Sequence, residues 1–278
     1  MTEKRVISLA HSPDADDAFM FYGLARGLVD SGDVEFVHHL EDIQSLNANA
    51  IDERYDVTAV SFGMYPHIAG RYALLSSGSS IGDGYGPIVV SREPIAPDDL
   101  PNHRVAVPGE NTSAFVSLRL FCPDLNWTVM DFNEIQEAVM DGLVPAGLLI
   151  HEGQLTYMED GLHKVVDLGR WWKDLTGLPL PMGGNAIRRG LGEPLMKRVS
   201  TILRESIQYS LDHREAALEY AMQFGRGLDK EKADRFVAMW VNEMTVDYGD
   251  RGREAVRAFL SAASDAGLLP RVESFDFV

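Results

Sequence analysis

The chain has 278 residues, 45% of them apolar and 24% charged, with 42 acids against 25 lysines and arginines and a formal charge of −17. That length buries a substantial core as one large or two smaller domains, and the acidic balance argues against a nucleic-acid partner, which needs clustered Lys and Arg. No uncharged apolar run of about 18 residues suits a membrane span. The N-terminal stretch MTEKRVISLAHSPDAD lacks the apolar core of a secretory signal, and a single cysteine, Cys122, excludes an internal disulfide, so the expectation is a cytoplasmic protein.

Residues 6–10 read as a strand and 17–28 as a helix. Between them HSPDADDAFMFY (11–22) packs a Ser-Pro turn and three aspartates into a strand-to-helix junction. In an open α/β sheet such junctions face the ligand crevice. Ser and Asp are also the preferred N-caps, and acids suit a helix's first turn. The cluster is therefore either a helix start or the lip of a site. A strand at 34–40, a helix at 42–51 and a short buried strand at 57–61 follow, then a Gly/Ser-rich loop at 78–85 and a strand at 87–90.

The same style repeats, with strands at 104–107, 127–132 and 146–150 alternating with helices at 112–120 and 133–141. Residues 165–168 resemble one more strand, and the Pro/Gly-rich segment 175–189 leads out. From about residue 193 the pattern is helical. Asp212 and Glu215 read as an Asp-x-x-Glu capping box, and Asp229 and Gly249-Asp250 as further helix starts. Such alternation predicts an α/β fold with mostly parallel sheets. Two α/β units and a helical tail suggest two lobes around a central cleft: lobe 1 from 1–90 plus 188–278, carrying the tail, and lobe 2 from 91–187. The chain would cross at 87–93 and 179–187.

His151 ends the apolar run of AGLLIHEGQLTY, and histidine is the usual general base near neutral pH. The alternative is a half-buried histidine bonded to a backbone carbonyl. Thr112 and Ser113, in Pro108-Gly109-Glu110-Asn111-Thr112-Ser113, place two hydroxyls at a predicted helix N-terminus, where free amides attract a carboxylate; plain capping is the rival. Ser61 stands at another strand end, and Asn47 on the 42–51 helix or its leading loop. GSSIGDGYG (78–86) has neither a P-loop nor a dinucleotide pattern. The serines lack a nucleophile elbow, which counts against a hydrolase triad, and no histidine pair has metal-ligand spacing with carboxylate support, so no catalytic metal is expected.

Taken together these motifs resemble the MqnA/MqnD family of the futalosine route to menaquinone, nearest its MqnD (1,4-dihydroxy-6-naphthoate synthase) branch. The resemblance covers nearly the whole chain. It rests on Ser12-Pro13 with Asp16-Asp17-Ala18-Phe19, Glu41-Asp42 to Asn47, Val60-Ser61, Pro108-Gly109 with Thr112-Ser113, the stretch 147–157, Pro181-Met182-Gly183-Gly184 with Arg188, and Tyr248-Gly249. Where the family carries Ser-Pro-Cys-Pro-Asn-Asp-Thr-Phe, this chain has SPDADDAF, which adds two negative charges and removes a hydroxyl.

The resemblance implies a two-lobed type 2 periplasmic-binding-protein-like fold turned to catalysis. The implied reaction cleaves cyclic dehypoxanthinyl futalosine, a small carboxylate, to 1,4-dihydroxy-6-naphthoate without a cofactor. His151 matches the family's base and Asp17 its acid; Asn47, Ser61 and Thr112 or Ser113 match cleft-lining positions. Two other expectations stand beside it, a non-catalytic solute-binding protein and the sister dehydration of chorismate.

Overall fold

The structure is a computed structural model, described over residues 4–224 and 229–278; Met1 to Glu3, at the start of the expected first lobe, lie outside the described residues. Two sheets organise it. The first contains β1 (Arg5–His11), β2 (Val34–Leu40), β3 (Val57–Ser61), β4 (Tyr72–Leu74) and β5 (Ser80–Gly82). The second contains β6 (Ile88–Ser91), β7 (Arg104–Val107), β8 (Asn126–Val129), β9 (Ala146–Leu149) and β10 (His163–Asp167), in the order β10-β6-β9-β7-β8. The chain then returns to the first sheet as β11 (Leu180–Arg188), giving the order β2-β1-β3-β11-β4 with β5 also on β11.

β1 pairs parallel with β2 and β3, and β7 parallel with β8 and β9, but β11 pairs antiparallel with β3, β4 and β5, and β6 antiparallel with β9 and β10, so the sheets are mixed and not mostly parallel. Every residue of β3 is buried, as expected of a strand covered on both faces. The first sheet's Ile7, Leu9, Val57 and Ile187 pack with Phe19 and with Val199, Leu203 and Ile207 of the Glu193–Asp212 helix. The Gly249–Asp265 helix instead packs Val256, Phe259 and Leu260 into the core shared with the second sheet. Residues 276–278 run along β4: Leu74 N–H donates to Asp276 O, and Ser76 N–H to Val278 O at 2.8 Å.

Several element expectations change. The segment 175–189 is no simple exit: residues 180–188 form a nine-residue strand in the middle of the first sheet. Pro181 is tolerated because the pairing with β5 is irregular between Pro181 and Gly183. A helix at Leu168–Thr176 precedes it, capped by Asp167, whose carboxylate accepts from Arg170 N–H. The predicted 17–28 helix is two short ones, Ala15–Met20 and Tyr22–Ala25, broken at Phe21. Asp212 and Glu215 form no capping box, because Asp212 ends one helix and His213 precedes the next without a side-chain cap. The capping box lies at Asn242 and Thr245.

Candidate active site

One cleft gathers the ends of strands from both sheets. The cavity between them measures about 130 Å³. The turn after β1 supplies Ser12 and Asp14, and the first turn of the Ala15–Met20 helix Asp16 and Asp17; β3 supplies Ala59 to Ser61; β11 supplies Met182 to Asn185. From the second sheet come Thr112 to Ala114, beyond β7, and Ile150, beyond β9. In an open α/β sheet this is where ligands bind.

The β1 turn builds the acidic wall. Ser12 N–H donates to Asp17 Oδ2 at 2.8 Å, and the Ser12 hydroxyl donates to Asp14 Oδ2. Asp14 precedes the helix but makes no side-chain cap bond. Burial pushes the Asp17 carboxyl up to about 7; the Ser12 amide opposes that push and the Asp14 charge adds to it. Asp16 is held well above the ordinary carboxylate range by burial and by the charges of Asp17, Asp14 and Glu152. Glu152 belongs to the turn after β9 and is buried, so acids from the two halves face each other here. Among the described residues no group of three or more His, Cys, Asp or Glu is arranged to hold a metal ion.

His11 lies behind this wall. Its Nδ1 lies 3.0 Å from the Ser12 carbonyl oxygen. A carbonyl only accepts, so Nδ1 carries the proton and Nε2 accepts from His38 Nδ1–H at 3.1 Å. Burial, helped by His38, lowers the His11 pKa to about 3 and keeps the ring neutral.

Ser61 faces the cleft from β3. Its N–H donates to Asn47 Oδ1 at 2.9 Å, and Asn47 Nδ2 donates to its Oγ at 3.1 Å. The Ser61 hydroxyl is thus held as an acceptor on its inner side and keeps its proton for the cleft. Asn47 is fully buried and stands behind Ser61 without lining the cleft. Thr112 Oγ1 donates to Gly109 O at 2.8 Å and accepts from Phe115 N–H, capping the Ser113–Phe121 helix. Ser113 Oγ accepts from Gly63 N–H at 3.0 Å and donates to Met182 O. Both hydroxyls are engaged within the protein, so that helix offers an anion its unpaired first-turn amides.

His151 is half-buried and not among the lining residues; its neighbour Ile150 is. Its Nε2 faces Phe132 O at 3.1 Å, and its Nδ1 accepts from Gly153 N–H at 3.0 Å. These partners fix the proton on Nε2 and the lone pair on Nδ1. The structure therefore brings Asp17, Ser61, Thr112 and Ser113 to one cleft and sets Asn47 and His151 just outside it. Asp14 and Asp16, which look like cap or rim positions in the sequence, line it.

A model of the menaquinone biosynthesis family matches residues 7–265. The chain belongs to the menaquinone biosynthesis family. It is 39% identical to the 1,4-dihydroxy-6-naphthoate synthase of Streptomyces coelicolor over 95% of this chain and 95% of that one. A crystal structure of a protein from Archaeoglobus fulgidus is similar at 44% identity, with a TM-score of 0.91 over 95% of this chain and 98% of that one. A Candida albicans protein with the generic periplasmic-binding-protein fold shares the architecture at 13% identity, with a TM-score of 0.73 over 97% of this chain and 92% of that one. The fold is thus periplasmic-binding-protein-like, and the protein is an enzyme of menaquinone biosynthesis. No helix among the described residues is long and apolar enough to cross a membrane.

Two family motifs have structural explanations. Arg188 pairs with Asp56, which also accepts from the Ser8 amide and hydroxyl. Tyr248 is buried with its hydroxyl against Gly184, where a Cβ would collide with it. Sequence reasoning missed Asn185 and passed over Glu152. Asn185 was hidden inside a Pro/Gly-rich segment read as a connection; the apolar pair Ala186-Ile187 after it was the available strand signal.

Proposed function

We propose that the protein converts cyclic dehypoxanthinyl futalosine to 1,4-dihydroxy-6-naphthoate by carbon–carbon cleavage, with His151 as the base and no cofactor. The observation that carries this is the polarity of the cleft: a buried carboxyl poised near neutrality at one side, a hydroxyl donor and helix amides at the other. The substrate's carboxylate would sit at Ser61 and the first-turn amides of the Ser113–Phe121 helix, and its sugar-derived part at the acids. Asp17, at about 7, suits proton exchange at neutral pH.

His151 would take a substrate hydroxyl proton on Nδ1. The new carbonyl forms as the carbon–carbon bond breaks, and the electron pair passes into the ring system that becomes the naphthoate. Nδ1 accepts from Gly153 N–H, so the base is uncovered only when the 151–153 turn rearranges. We take the two sheets as the two lobes and assign that rearrangement to their closure, which would also exclude water. A positioned base supplies about 10²- to 10⁴-fold, and orientation the larger share.

The test is incubation of the purified protein with cyclic dehypoxanthinyl futalosine and, in parallel, chorismate, followed by chromatography and ultraviolet absorbance. Dihydroxynaphthoate from the first substrate alone supports the proposal. Turnover of chorismate moves the assignment to the dehydratase, and tight binding without turnover of either leaves a binding protein. A folded His151→Ala protein that still works at wild-type rate removes His151 as the base.

A further inference from the structure

β11 carries a cleft residue to which no role has yet been given. The register pairs Gly183 with Ser61 and Asn185 with Ala59. Paired residues in an antiparallel ladder project to the same face, so Asn185 shares the face of Ser61, and Ala59 and Gly183 leave that face uncrowded. Asn185 lines the cleft and is 2% exposed. Its Nδ2 donates to Gly78 O at 3.2 Å. Because a carbonyl only accepts, that bond fixes the amide's orientation and leaves Oδ1 as the other end. The amide lies directly on Gly78, whose φ of +79° and lack of a Cβ make room for it. Oδ1 has no hydrogen-bond partner among the described residues.

A buried acceptor without a partner is rare in native proteins and costly. In the wall of this cleft such an oxygen repels an approaching carboxylate and accepts only from a donor. We infer that Asn185 is a specificity-determining residue whose Oδ1 accepts a hydroxyl of the substrate's sugar-derived part. The inference rests on the reaction proposed above. It assigns to β11 a share of the discrimination: Ser61 presents a donor and Asn185 an acceptor on one sheet face, which orients the substrate end to end.

The test is a cycle between protein and substrate. Wild-type protein is assayed for kcat/KM with the full substrate and with analogues lacking one sugar-derived hydroxyl at a time. One analogue should lose about 10- to 100-fold in the wild type, since a site built to bond a hydroxyl is left with an unpaired polar atom. In Asn185→Leu that same loss should shrink below about 3-fold. In Asn185→Asp it should persist at low pH, because a protonated carboxyl can donate to Gly78 and still accept. Equal losses in wild type and Asn185→Leu overturn the inference. So does a wild type that loses less than about 3-fold with every analogue, which needs no variant to fold. Failure of the wild type to cleave the full substrate refutes the proposed reaction instead.

Discussion

Replacing Asp17 by asparagine should abolish most activity while making the protein more stable. The carboxyl is buried, with its pKa raised from 3.8 to about 7. An acid whose folded pKa is raised binds its proton more tightly in the folded state, so its effect is neutral below about pH 4. It becomes increasingly unfavourable up to about pH 7 and constant above. The interval corresponds to about 4 kcal/mol at pH 8. Asparagine still accepts from Ser12 N–H and carries no charge beside Asp14 and Asp16; the loss of a charge-assisted bond trims the gain. The variant should therefore gain about 2–4 kcal/mol at pH 8, with the gain vanishing near pH 4. Urea unfolding followed by circular dichroism at pH 8, 6 and 4.5 reads this directly. A variant no more stable than wild type at pH 8, or one whose gain does not change with pH, would refute the reasoning.

Three further outcomes follow from the same geometry. His11 is held neutral, with a folded pKa of about 3, so its contribution is intact above about pH 6.5 and is lost as pH falls toward 3. In the Asp17→Asn background the acid loss should reach about 3 kcal/mol at pH 4.5, and His11→Phe should flatten it in the same urea series. Asn47→Ala removes both bonds to Ser61 and leaves a buried amide unpaired, so it should cost about 2–3 kcal/mol of stability and raise KM more than it lowers kcat. Gly184→Ala should cost about 1–3 kcal/mol through collision with the Tyr248 hydroxyl. Adding Tyr248→Phe should recover most of that loss, a non-additivity visible in thermal melts.

The parts legible in the sequence are those whose local pattern agrees with their tertiary role. β1, β2, β3 and β7 are apolar runs bounded by turns, and Asp42, Thr112 and Asp229 accept the cap bonds expected at helix starts. β11 was illegible because Pro181, Gly183 and Gly184 contradict strand propensity. They are tolerated because β5 pairs irregularly and because a Cβ at Gly183 would press on the Val60 carbonyl oxygen and one at Gly184 would collide with the Tyr248 hydroxyl. The site was half legible. Ser61 ends β3 and Asp17 lies in the first turn of the helix after β1, positions sequence can mark. That the Thr112 and Ser113 hydroxyls are consumed by Gly109, Phe115, Gly63 and Met182 depends on packing over up to 69 residues of separation. The elevation of Asp16 comes first from burial and then from Asp17 and Asp14, with a smaller share from Glu152 in the other half of the molecule.

The late return of β11 sets the order in which this molecule can be made. As the chain leaves the ribosome, β3 and β4 emerge more than 100 residues before the strand that belongs between them, and β4 waits longer still for residues 276–278. Until then, apolar strands with open edges are exposed, the condition that slows folding and invites aggregation. The cleft shares that timing, because its wall runs from Ser12 to Asn185. A nascent chain thus holds the acids, the serine and the helix amides with no site to bind substrate. Binding competence arrives only once the first sheet has closed around its latest strand.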